Sequence, residues 1–422
     1  MMNKKNLYFL VALLITCIAQ AQKPSLFIGA TAHLGNGQKI DNSAISILNG
    51  QIEMVVDASK IRVDPNAFDT IYNIHGKHLY PGFIIPNTTL GITEIDQVRA
   101  SHDYKEAGSL NPNVRTLIAY NTDSKIIKTV RSNGVLIAQV TARGGRISGQ
   151  SSVMHLDGWN WEDAALLVDD GIHLNWPSSF NQSGWWAEPG PTRKNKDYAS
   201  IITSLTNFFK KAKSYASYDS PMDLKMESMK GLFDMSKTLY IHADHSKELI
   251  DAIDFANRLE IKKTVIIGAE DALEIIDVLK NNKIPLILNR IHRLPDSEDS
   301  PIDAPFEQAG KLQKAGILFC LSYHGEMEAM GARNLPFTAG TAVAYGLNYE
   351  DAISSITLNA AKILGIDKLC GSIESGKDAS FFVSSGDALD MRTNNVEMAF
   401  IKGRSVDLNN HQKLLFKKYK NR

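Results

Sequence analysis

From residue 81 to about 368, short apolar runs alternate with amphipathic segments, and this alternation limits the possible folds more than any other feature. Residues 135–141, 263–268, 284–288 and 316–322 are near-continuous apolar runs, the pattern of strands buried on both faces. Residues 247–259 carry Leu249, Ile250, Ile253 and Ala256 at helical spacing, and 271–281 also reads as a helix. A longer helix is expected over 349–364, with Asp351 near its start and Gly365 just past its end. Such strands separated by helices imply a parallel sheet covered by helices. The stretch 159–191, with Trp159, Trp161, Trp176, Trp185 and Trp186, interrupts the alternation and reads as a long insertion or loop.

Both ends of the chain are rich in β-formers, at 25–32, 44–49 and 51–56 and again at 379–384 and 396–401. Asn49-Gly50 is a hairpin signal, because both turn positions want positive φ. These pieces cannot all be barrel strands. The economical arrangement is a small β-sandwich from 22–80 plus 369–422, with an α/β barrel over 81–368 inserted between its halves.

Lys+Arg and Asp+Glu both number 46 in 422 residues, so nothing basic points to nucleic acid and no charge block points to an interaction tail. A small-molecule ligand or a protein partner is the expectation. At the start, Lys4 and Lys5 precede an apolar run over 7–18, and Ala19-Gln20-Ala21 supplies the small residues of a cleavage site. Residues 1–21 are therefore expected to be a signal peptide, with export to the periplasm or beyond. The run is short of the roughly 20 residues a spanning helix needs, so no transmembrane anchor is expected. Thr16 before Cys17 is a poor fit to a lipoprotein site. Cys320 and Cys370 are expected to be free buried thiols.

Three motifs share an order. The first is Leu79-Tyr80-Pro81-Gly82-Phe83-Ile84-Ile85-Pro86-Asn87-Thr88-Thr89-Leu90-Gly91. The second is Thr357-Leu358-Asn359-Ala360-Ala361-Lys362-Ile363-Leu364-Gly365, and the third runs from Gly371-Ser372-Ile373 to Phe382-Val383. Together they resemble the first-strand motif, the last helix and the return to the sandwich in the amidohydrolase superfamily, most closely its imidazolonepropionase-like branch. The resemblance covers nearly all of the chain after the leader. It implies a TIM-like (β/α)8 barrel with one or two divalent, zinc-like metals at the C-terminal ends of its strands. A metal there lowers the pKa of bound water from about 15.7 to about 7. It also implies hydrolysis of non-peptide C–N bonds, in cyclic amides or small peptide-like substrates.

The ligands carry over incompletely. The family's His-x-His pair falls on Asn87 and Thr89, which are weak neutral donors beside imidazole and are expected to contact substrate. The fourth-strand Lys or Glu has no match; Lys225, Glu227 and Lys230 look like one exposed helix face. The fifth-strand His falls on His242 and the sixth on Gly268. The eighth-strand Asp falls on His324, or on Tyr323 if the register slips by one. His242 and His324 are thus the expected metal ligands, with His324 the catalytic candidate and Asp244, His245 or His102 as helpers.

A Gly-rich loop, Arg143-Gly144-Gly145-Arg146, follows an apolar strand and should sit at the barrel rim, where Arg143 and Arg146 could recognise a carboxylate. Glu94, Asp96, Asp169 and Asp170 offer carboxylates near that rim, and solvated loops are their plainer reading. No Gly-x-Ser-x-Gly nucleophile elbow is present. Two functions stay open: an exported C–N hydrolase with a reduced metal site, or an inactive relative that binds a ligand or partners an active homologue. A homo-oligomer is compatible with either.

Overall fold

The computed structural model describes residues 23–185, 187–217, 221–295 and 299–420. The expected signal peptide, Cys17 and Trp186 lie outside the described residues.

Eight strands follow one another in chain order around a nearly closed sheet. The first to eighth are Phe83–Thr88, Val135–Val140, Ile147–His155, Ala165–Asn175, Thr238–Ala243, Thr264–Gly268, Leu286–Leu288 and Phe319–Leu321. From the fourth onward every pairing is parallel, as is that of the first with the second. Helices such as Ser246–Arg258 and Ala304–Lys314 cover the outside.

Side chains alternate across a strand, so each strand sends every second residue inward. The lower interior is apolar: Ile84, Ile137, Val153, Tyr240, Ile267 and Cys320 share one buried cluster. Helix Leu358–Leu364 plugs it from below with Ala360, Ala361 and Leu364. The first and eighth strands share no ladder, and this helix packs against both. Its backbone contributes as well, because the Ile84 N–H donates to the Ile356 carbonyl at 2.8 Å. That bond explains why the single helix expected over 349–364 is two, Tyr349–Ser355 and Leu358–Leu364. At the break, Thr357 adopts φ −134° and ψ −96°, which frees the Ile356 carbonyl for the strand.

Two expectations are corrected. The sheet is not wholly parallel: the third strand runs antiparallel to both neighbours. Gly144 and Gly145, at φ +81° and +67°, turn the chain straight back with no intervening helix. Nor is 159–191 a loop. It holds a short helix, Trp161–Ala164, the whole fourth barrel strand, and a hairpin strand, Phe180–Trp185. Trp176 is core: its Nε1 donates to the Tyr198 hydroxyl at 3.0 Å and its ring meets Phe255 edge-on.

Both chain ends build the sandwich. A four-stranded sheet contains Ser25–Ile28, Ser43–Leu48, Gln51–Asp57 and Thr70–Asn73. A six-stranded sheet joins Thr31–His33 and His78–Pro81 to Phe381–Ser384 and Val396–Ile401. Phe27, Ile45, Leu79, Phe381 and Phe400 fill the space between. Asn49 and Gly50 form the expected hairpin turn at φ +52° and +81°. Cys320 and Cys370 are free and buried. No helix among the described residues is long and apolar enough to cross a membrane.

Gly171 tests how closely the fourth and fifth strands pack. A Cβ there would lie 2.4 Å from the Tyr240 ring and 2.5 Å from the Thr238 carbonyl. Gly171→Ala should cost roughly 1–3 kcal/mol in urea unfolding, the ordinary penalty of overpacking. An unchanged midpoint would mean the two strands can part.

Candidate active site at the barrel mouth

Above the apolar layer, the next inward positions are polar: Gln139, Ser151, Asp170, His173 and His242. They form one hydrogen-bonded chain. The Asn87 N–H donates to Gln139 Oε1 at 3.2 Å. Gln139 Nε2 donates to Asp170 Oδ2 at 2.7 Å and to Ser151 Oγ at 3.2 Å. The Tyr240 hydroxyl donates to the same Asp170 oxygen at 2.9 Å. Ser151 Oγ lies 2.9 Å from His173 Nε2, and His173 Nδ1 lies 3.0 Å from His242 Nε2. Burial pushes the Asp170 carboxyl up and both imidazoles well down, so the histidines stay neutral. The charge of Arg143 pushes the two histidines the same way.

Arg143 dominates the other half of the mouth. Its Nη1 donates to Asn87 Oδ1 at 3.0 Å and its Nη2 to the Asn87 carbonyl at 2.8 Å. Its Nε and Nη2 grip the two Glu328 oxygens at 3.0 and 3.1 Å. Glu328 Oε2 is also 2.7 Å from His324 Nδ1, which lies 3.4 Å from Arg143 Nη2. Asn87 sits at φ +52°, fully buried, and its Nδ2 has no partner among the described residues. Burial raises the cost of charging Glu328, but the Arg143 guanidinium and the His324 hydrogen bond outweigh it and hold this carboxyl at about 2.

The structure gathers Asn87, Arg143, His242 and His324 at one mouth, with the His242 and His324 ring centroids 6.3 Å apart. Thr89 is buried nearby in the turn after the first strand, its carbonyl accepting from the Ile92 N–H. His324 rather than Tyr323 faces this cluster, since the Tyr323 ring turns to Arg290. Gly268 leaves no gap: a Cβ there would strike Asp244 Oδ1 at 2.2 Å. The expected helpers are engaged elsewhere. His102 bonds the Asp96 carbonyl and Tyr104, His245 pairs with Asp271, and Asp244 accepts from Asn289. Glu94 accepts from Asn121 and Ser124, and Asp169 pairs with Arg115. Asp170 is no solvated loop acid but lies inside the barrel. Lys225, Glu227 and Lys230 belong to an exposed helical segment, with Glu227 and Lys230 paired at 2.8 Å.

Two members of the cluster went unrecognised in the sequence. His173 lies near the end of the fourth strand, the strand for which the family's Lys or Glu has no match. Its signal was the strand pattern of Leu166, Leu167, Ile172 and Leu174 around it. Glu328 opens a short helix four residues after His324, and the turn between them, with Gly325 and Met327 at positive φ, brings the two side chains together.

The residues present do not fit a family-type metal. Among the described residues, no group of three or more His, Cys, Asp or Glu is arranged to hold an ion. A guanidinium already touches Asn87 and His324, two positions where the family places ligands.

Acid titration tests these assignments. Unfolded histidine protonates near pH 6.5, whereas His173 and His242 resist it, so stability should begin to fall below that pH. Glu328 adds stability above about pH 4.5 that is lost as pH approaches 2, on the order of 3 kcal/mol. Glu328→Gln should cost about 3–5 kcal/mol at pH 7 by stranding Arg143, and should flatten the loss below pH 4.5. Parallel curves for both proteins below pH 4.5 would contradict the pairing.

Comparison with known proteins agrees with this architecture. The family model described as "Amidohydrolase family" matches residues 207–406. An imidazolonepropionase of Flavobacterium psychrophilum is 22% identical over 259 residues, covering 57% of this chain and 61% of that protein. The match thus spans less than two thirds of that relative. A Thermotoga maritima amidohydrolase structure superposes with a TM-score of 0.78 at 24% identity, over 91% of this chain and 99% of the other. A Xaa-Pro dipeptidase with bound methionine in its active site gives 0.56 at 15% identity, over 91% and 100%. The likeness to both structures is one of fold. The family match, the relative and the barrel-and-sandwich architecture agree in pointing to the amidohydrolase superfamily, and the relative is an imidazolonepropionase.

Proposed function

We propose that this protein is a hydrolase-type member of its superfamily that acts on C–N bonds of cyclic amides or small peptide-like molecules, at a barrel mouth where Arg143 stands in for the metal. The observation that supports this reading is the fixed guanidinium between Asn87 and His324, beside two neutral imidazoles. Neutral His242 can accept a proton from an attacking water. Its Nε2 is occupied by His173, which leaves Nδ1 without a partner among the described residues. Arg143 supplies positive charge near which an oxyanion would be stabilised, and His324 is the adjacent group able to pass a proton to a leaving nitrogen. Export rests on the leader pattern of residues 1–21. The substrate class follows the superfamily and the names of the similar proteins.

One observation favours a second reading, a non-catalytic ligand-binding or partner subunit. Arg143 already makes four hydrogen bonds to Glu328 and Asn87, which blunts it as an electrophile.

Metal analysis and turnover separate the two. The purified protein should carry substoichiometric zinc, manganese and iron. It should hydrolyse a cyclic amide or a Xaa-Pro dipeptide at a rate indifferent to EDTA. His242→Ala should abolish that turnover with Tm nearly unchanged. Binding of these compounds without turnover would establish the second reading. Stoichiometric metal with EDTA-sensitive turnover would overturn the arginine-for-metal site.

A further inference from the structure

Arg146 does not join Arg143 at the barrel mouth. Its Nη1 donates to the Asn175 carbonyl at 2.8 Å, and that is the one hydrogen bond its side chain makes among the described residues. No carboxylate there comes within ion-pair distance of it, although the side chain is half-buried, and burial pulls its pKa down. A guanidinium withdrawn from water without a counter-ion is costly, and it is the side chain best shaped to receive a carboxylate in bidentate fashion. It lies in a cleft of about 330 Å3 between the Gly-rich rim loop and helix Tyr198–Ser217. Ser109, Ser200 and Ser204 add hydroxyls, and Leu110 and Ile201 form an apolar wall. The volume is at the lower end for small-molecule sites.

We propose that this cleft binds the carboxylate of a small amphipathic acid, with Arg146 Nε and Nη2 gripping the carboxylate, the serines at its flank, and a short apolar tail against Leu110 and Ile201. The charge comes from the ligand, which explains why the chain itself provides no acidic partner. The cleft is lined by the covering helix rather than by the His173–His242 pair. The site therefore stands whichever way the chemistry of the barrel mouth resolves.

Calorimetry on the full mature protein tests it with hexanoate, hexanol, and Gly-Gly-Leu as free acid and as amide. Hexanoate or the peptide acid should bind, and hexanol and the peptide amide should not. Whichever acid binds identifies the source as a free fatty acid or a peptide C-terminus. Arg146→Gln should weaken binding at least about tenfold, the value of a charge-assisted bidentate contact. Arg146→Lys should recover part of that loss. Ser204→Phe, on the exposed helix surface, should block the cleft with Arg146 intact, so that a folding defect in the arginine variants cannot mimic the result. Failure of both acids to bind, or equal binding by wild type and Arg146→Gln, would overturn the proposal.

Discussion

The bidentate pair between Arg143 and Glu328 holds together the one seam that backbone hydrogen bonds leave open. The first and eighth strands share no ladder. Below, helix Leu358–Leu364 spans them, and the Ile84–Ile356 bond ties one edge to it. Above, Arg143 reaches from the second strand's exit loop to Asn87 on the first strand and to Glu328 beyond the eighth. Both partners of the pair are largely buried, with side-chain exposures of 16% and 9%. A buried ion pair of this kind contributes through geometry and mutual dependence more than through net attraction, and losing either partner leaves a charge without solvent.

The barrel interior is layered by the alternation of its strands. Apolar side chains fill the lower layer, where the plugging helix excludes water. The layer above exchanges them for Gln139, Ser151, Asp170, His173 and His242. Such a network specifies its own arrangement, because each buried polar atom needs the orientation of the next. The Asp170 Oδ1 and Asn87 Nδ2 atoms lack partners among the described residues, so the network leaves two of its buried polar atoms unsatisfied.

Much of this fold was legible in the sequence where the cause is local. Asn49-Gly50 turned where positive φ was required, and Val396–Ile401 and Thr264–Gly268 formed where apolar runs demanded burial. The third strand, Ile147–His155, was not legible. Its inward residues are mixed, Val153 in the apolar layer and Ser151 in the polar one, so neither a continuous apolar run nor a clean alternation marks it. The fourth was obscured by the acids and tryptophans around it. His242 and His324 could be placed by the resemblance, but their neighbours could not. His173 comes from a strand mistaken for loop, and Glu328 from a short helix whose importance appears only when Arg143 meets it. Arg143 was recognised as a rim residue; that its charge is satisfied from within, while that of Arg146 is not, depended on contacts between residues nearly 200 positions apart.

A cation supplied by a side chain behaves differently from one taken up from solution. Metal sites of a given donor set follow a common affinity order among divalent ions, so their occupancy tracks which ion the compartment offers. The guanidinium at this mouth is delivered with the polypeptide and keeps its charge at any physiological pH. If the protein works outside the cytoplasm, where ion supply is set by the surroundings, its central charge is independent of that supply.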